Sequence, residues 1–143
     1  FGLPFIIFEY TPFNSIKPGA FAGGGLSTLK NLSFVRGNLR PIIGDGWFEG
    51  LATLEQLSLE NEGGQGISAI ADDAFKGLDR LRILDLRNNR QLASLPRSLL
   101  DLPRLEVVMV HNTAICNNNI DSAFEPLVTA GVIQPPGCAQ MDP

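Results

Sequence analysis

Apolar residues recur along this chain in a mixed rhythm that neither a helix nor a plain strand produces. Leu78, Leu81, Leu84 and Leu86 are followed by Asn89, so that three-residue steps lead into a two-residue step. The short step points Leu84 and Leu86 to one side of a strand, and the longer steps carry the chain around a bend. The same spacing returns at Leu26, Leu29, Leu32 and Phe34, at Leu51, Leu54, Leu57 and Leu59, and at Leu102, Leu105, Val108 and Val110. An interval of about 25 residues between these sets marks one coil of a solenoid as the repeating unit. Leu3, Ile6 and Phe8 fit the last apolar positions of an incomplete first coil, and Leu127, Ala130 and Ile133 the first ones of a final coil.

The other half of each coil repeats as well. A phenylalanine stands three residues before the leading leucine at Phe48, Phe75 and Phe124; Leu99 takes that role once, and Phe21 is displaced by Gly23, Gly24 and Gly25. Further back lie Ile16, Ile43, Ile70, Leu95 and Ile120. These rows form an aromatic spine and an aliphatic ladder, neither of which is buried until the next coil stacks on it. The expected organisation is one domain over residues 1–143, with a partial repeat at 1–25, full repeats from 26, 51, 78 and 102, and a terminal capping repeat from about 127.

Ala74-Phe75-Lys76-Gly77-Leu78 and Trp47-Phe48-Glu49-Gly50-Leu51 complete a pattern that resembles the leucine-rich repeats, in particular the extracellular type of about 24 residues with A-F-x-G-L before the strand. The resemblance implies an α/β horseshoe with about six parallel strands on a concave face and short helices and turns on the convex one. It also implies a module that binds proteins or peptides. Locally, Asp72 or Asp73 is placed to cap a helical turn before Ala74, and Pro96 and Pro103 bracket another short turn of helix. The asparagine expected after the strand is present as Asn89, whereas Thr11, Gly37, Glu62 and Thr113 stand at the equivalent positions. Threonine can satisfy part of the turn backbone; glycine cannot and glutamate does so poorly, so distorted turns are expected near Gly37 and Glu62, with Asn38 and Asn61 as substitutes from a shifted register.

Function in a solenoid falls to the side chains that alternate away from the core. On that basis the candidate binding face comprises Phe5, Ile7, Val35, Ser58, Glu60, Ile83, Asp85, Arg87, Val107, Met109 and His111. Glu60, Arg87 and His111 form one lateral row and Ser58, Asp85 and Met109 the next, giving a polar centre flanked by apolar ends. The residue types for acid and base work are present, but a salt-linked row on an open sheet explains them more simply than a catalytic site, and no enzyme activity is expected. No metal site or cofactor is expected either: two cysteines and the single histidine, His111, make no ligand set.

Charge and cysteine content narrow the partners and the compartment. A net charge of -4 with only three lysines leaves no basic stripe for nucleic acid. The longest apolar stretch, Phe1 to Phe8, is broken by Pro4 and too short to cross a bilayer, so no direct membrane insertion is expected. Because the chain starts with phenylalanine inside a coil, it reads as a processed or excised piece, or as the ordered part of something larger. Cys116 and Cys138 fall on turns of adjacent coils, where they form either a disulfide worth about 3 kcal/mol or two free buried thiols. A disulfide, together with Asn31-Leu32-Ser33 as a glycosylation acceptor, favours an extracellular or secreted protein; a cytoplasmic scaffold or adaptor is the alternative. A further alternative is a structural subunit of a larger homo- or hetero-assembly, joined through the uncapped N-terminal edge near Leu3, Ile6 and Phe8.

Overall fold

Each two-residue apolar step becomes a short strand, and the coils lay these strands side by side. A computed structural model describes residues 5–9, 19, 21–22, 28–35, 42–60, 66–115 and 120–134, without the side chains of Phe8, Glu9, Val35, Ile42 and Gln134. The strands are β1 Phe5–Glu9, β2 Asn31–Val35, β3 Ile42–Ile43, β4 Gln56–Ser58, β5 Ala69–Ile70, β6 Ile83–Asp85, β7 Val107–Met109 and β8 Ile133–Gln134. Among the described residues, the main sheet has the order β1-β2-β4-β6-β7-β8, and every pairing in it is parallel. Its register follows the sequence spacing: Leu32 pairs with Leu57, Leu57 with Leu84, Leu84 with Val108, and Val108 with Ile133. Strands of this kind stay short because the chain must turn after two inward residues to complete the coil.

The inward residues form one continuous core. Leu29, Leu54 and Leu81 are fully buried, as are Leu84, Leu86, Val108 and Val110. On the side away from the main sheet, Phe21 stacks on Phe48 with ring centroids 6.4 Å apart, and Phe48 stacks on Phe75 at 5.8 Å. Phe21 therefore joins the spine despite the extra glycines that follow it. Trp47 meets Phe48 edge-on, and Leu99 and Phe124 continue the buried row beyond Phe75. Part of the aliphatic ladder also pairs as backbone: β3 and β5 form a two-stranded parallel sheet, Ile43 opposite Ile70. Nothing in the spacing announced it.

Among the described residues the helices are few and short. Arg97–Asp101 is a 3-10 helix entered from Pro96, Ser122–Phe124 is a second, and α1 spans Glu125–Thr129. In the last coil Leu127 is half-buried and Ile133 buried, but Ala130 is exposed, so its place in the apolar pattern is not a place in the core.

Turns after the strands are satisfied by side chains that stay inside. Asn89 has no exposed surface: its Oδ1 accepts from the Ile67 amide at 2.9 Å, while Nδ2 donates to the carbonyls of Leu59 at 3.0 Å and Leu86 at 2.9 Å. One coil later, Thr113 Oγ1 donates to the Val110 carbonyl at 2.7 Å and accepts from the Ile115 amide at 3.2 Å. Threonine thus closes its own turn but does not reach the preceding coil with these two bonds. The turns expected to distort near Gly37 and Glu62, the position of Thr11, and the stand-ins Asn38 and Asn61 lie outside the described residues.

The carboxylates near the turn before Ala74 bond between coils. The carboxylate of Asp72 accepts from the Arg97 amide in the next coil at 3.1 Å, and the Asp73 amide donates to Asp45 of the previous coil at 3.2 Å. A turn lacking a helix's row of free amides has little use for a local cap, which leaves the Asp72 and Asp45 carboxylates to join successive coils.

Gly50 and Gly77 occupy the same place in their coils with positive φ of 97° and 91°, yet a Cβ on Gly50 would lie 2.5 Å from the Ala22 Cα, whereas a Cβ on Gly77 would meet nothing within 4 Å. Gly77→Ala is expected to cost about 1 kcal/mol from backbone strain alone, and Gly50→Ala about 3 kcal/mol or more because Ala22 must also move. Equilibrium urea unfolding of the two variants measures the difference.

Candidate functional site: the open face of the main sheet

Because inward and outward residues alternate, the parallel register lines up the outward ones across strands about 4.8 Å apart. Phe5, Asn31, Gln56, Ile83 and Val107 stand in one row, and Ile7, Ser33, Ser58, Asp85 and Met109 in the next. Glu60, Arg87 and His111 each follow the last inward residue of their strand segment. The apolar ends are real surface: Phe5 is 57% and Ile7 56% exposed, while Ile83, Val107 and Met109 are half-exposed. The side chain of Val35 lies outside the described residues.

The polar centre is more tightly organised than an open row of charges. Asp85 is only 8% exposed; Arg87 donates to it through Nε at 2.9 Å and Nη2 at 2.8 Å, and the Arg87 amide donates to Oδ1 at 3.1 Å. Asp85 is therefore turned toward holding Arg87 in place rather than presented to a partner. Glu60 lies 3.6 Å from Arg87 Nη2, so the expected cross-strand pair exists, but the two-point contact belongs to Asp85. Beside these, Asn112 donates to Asn88 at 3.0 Å and Asn88 to Glu60 at 3.2 Å, forming a chain along the rim of the sheet. Asn88 and Asn112 both adopt positive φ, 69° and 60°, a conformation asparagine tolerates better than most side chains. His111 is exposed at the end of its row.

A second charged line runs along the other rim, where each strand begins. Lys30, Glu55, Arg82 and Glu106 each precede a strand and alternate in sign, with separations of 3.9, 3.7 and 2.7 Å between successive partners. The Glu106 hydrogen bond raises the Arg82 guanidinium above its ordinary value, and the Arg82 hydrogen bond holds the Glu106 carboxyl below its ordinary value. These groups are solvated, so the line sets lateral order more than stability. Sequence reading missed it, although the signal was there: one coil position carrying plus, minus, plus, minus.

The family model for leucine rich repeats matches residues 62–115. Human leucine-rich repeat-containing protein 66 is 32% identical to this chain over 100 residues, which cover 67% of this chain and 11% of that protein. The chain belongs to the leucine-rich repeat family. Domains of this family commonly mediate protein–protein interaction. The matched residues contain Asn89 and Thr113, whose buried side chains satisfy turn backbone. In this leucine-rich repeat chain the side of the coils away from the main sheet carries hollows between coils. One of about 390 Å³ is bordered by Asp73, Lys76, Asp79 and Asp101, and another of about 380 Å³ by Leu95, Arg97, Ile115 and Asp121. Among the described residues no group of three or more His, Cys, Asp and Glu is placed to hold a metal. Cys116 and Cys138 lie outside the described residues. No described helix is long and apolar enough to cross a membrane.

A depressed folded-state value makes the Glu106 contribution present at neutral pH and lost as pH falls through that lowered value. The Glu106 carboxyl, followed by NMR, is expected to titrate below the ordinary glutamate range and to move back toward it in Arg82→Met. An unchanged midpoint in that variant would break the link between the two residues.

Proposed function

We propose that this leucine-rich repeat chain is a non-enzymatic module that binds a protein or peptide on the concave, open face of its horseshoe, in an extracellular setting. The observation that carries the proposal is the grouping of half-exposed Ile83, Val107 and Met109 next to the anchored Arg87 and exposed His111. Apolar surface beside a fixed polar group is what a protein contact needs: area to bury, and a hydrogen-bonding group whose orientation is already settled. Catalysis lacks an equivalent basis, since Asp85 and Glu60 are already committed to Arg87. The cytosolic adaptor shares this surface and differs in compartment, which the redox state of Cys116 and Cys138 separates.

A second reading rests on the other apolar end. Phe5 and Ile7 are the most exposed large apolar side chains among the described residues, and they lie on β1, whose pairing in the described sheet is with β2 alone. An edge strand of that kind can add a neighbouring strand, which would make the chain a subunit of a larger assembly. Molar mass by light scattering separates the two: a monomer supports the binding module, and a discrete or open-ended assembly supports the subunit.

For the first reading, binders selected from displayed fragments of secreted proteins are expected to lose at least about tenfold in affinity, roughly 1.4 kcal/mol, on Met109→Glu or Val107→Glu. Asp79→Lys, on the opposite side of the coils, should leave them unchanged. Equal binding by all variants would remove the open face as the site.

A further inference from the structure

Phe5 is the most exposed large apolar side chain described, and its nearest lateral neighbour on the open face is Asn31. That pairing gives a meaning to the Asn31-Leu32-Ser33 triplet. It is the sole Asn-x-Ser/Thr sequence in the chain. In β2 its three residues divide between two faces: Leu32 is buried in the core at 1% exposure, while Asn31 is exposed and Ser33 half-exposed on the open side. A modified Asn31 therefore folds into the same strand as an unmodified one. The backbone of β2, paired on both sides by β1 and β4, needs no rearrangement to carry it.

We propose that Asn31 is an N-glycosylation site and that the first sugar of its glycan lies over the ring of Phe5. In the transfer, Asn31 Nδ2 attacks C1 of the reducing-end sugar of a lipid-linked oligosaccharide. The C–N bond forms as the C1–O bond breaks, the lipid pyrophosphate leaves with the electron pair, and the amide nitrogen gives up one proton. Both backbone edges of β2 are occupied in the folded sheet, so transfer precedes closure of this part of the sheet. Once the sheet forms, Phe5 and Asn31 are on adjacent strands and the same face, about 4.8 Å apart along the pairing direction. The apolar face of a pyranose ring laid across Phe5 removes aromatic surface from water. The consequence for function is spatial: sugar covers the N-terminal end of the open face, and protein contact is confined to the strands carrying Ile83, Val107 and Met109. This inference shares the secretory setting of the proposed function but does not depend on any partner.

The test is expression of the full chain in a eukaryotic secretory host, with intact mass and peptide mapping before and after N-glycosidase treatment. Wild type is expected to carry glycan at Asn31, Asn31→Gln and Ser33→Ala to carry none, and Ser33→Thr to retain it. An unmodified wild-type chain, secreted and folded by circular dichroism, would overturn the site. Stacking on Phe5 is read separately: enzymatic removal of the glycan should lower Tm in wild type and leave Phe5→Ala almost unaffected, whereas equal shifts in both would overturn the stacking. A glycan-free chain whose binders still fail on Met109→Glu would sink this inference alone and leave the concave-face reading intact.

Discussion

A chain that leaves a sheet after two inward residues must turn inside its own core, and there each unpaired amide or carbonyl costs free energy comparable to a lost hydrogen bond. Asn89 meets that demand with one side chain. Its amide joins the strand end at Leu86, the preceding coil at Leu59 and the returning segment at Ile67, all without exposure to solvent. The bond to Leu86 closes the turn within its own coil, and the bonds to Leu59 and Ile67 fix the distance to the preceding coil. That distance sets the register in which Leu57, Leu84 and Val108 stack.

From this register follow the two faces of the domain. Inward, leucines and the stacked rings of Phe21, Phe48 and Phe75 fill the space between sheet and return segments. Outward, nothing is required for folding, so the composition of the open face is free to serve contact. The structure nonetheless constrains it: Asp85 is drawn down and clamps Arg87, and the Glu60-Asn88-Asn112 chain orders one rim while alternating charges order the other. The open face is thus a set of half-exposed apolar side chains mounted between two polar rims. Among the described residues, Asp85 and Glu60 both face Arg87, Asp85 through a two-point contact, so the charged groups at the centre of this face are paired with one another.

Much of this was legible in the amino-acid pattern because the coil period is local. Leu78 to Asn89 specifies strand, bend and turn within twelve residues, and the rows containing Ser58, Asp85 and Met109 follow by counting. What escaped depends on contacts between coils. The Asp72 carboxylate meets the Arg97 amide only once the coils are stacked, and the β3–β5 pair arises only when two return segments come into line. Asp85 looked like surface because alternation assigns a direction but not a depth; the arginine two residues on drew it in. Phe21 looked displaced because three glycines follow it, yet the ring-stacking position tolerates a longer path between spine and strand.

The central claim is that the buried Asn89 amide couples one coil to the next, and equilibrium urea unfolding of Asn89→Ala tests it most directly. Loss of the side chain strands the Ile67 amide and the Leu59 and Leu86 carbonyls, so stability should fall by about 2 to 4 kcal/mol, with weakened hydrogen-exchange protection at Ile67. A change under about 0.5 kcal/mol, with protection of Ile67 intact, would contradict the account.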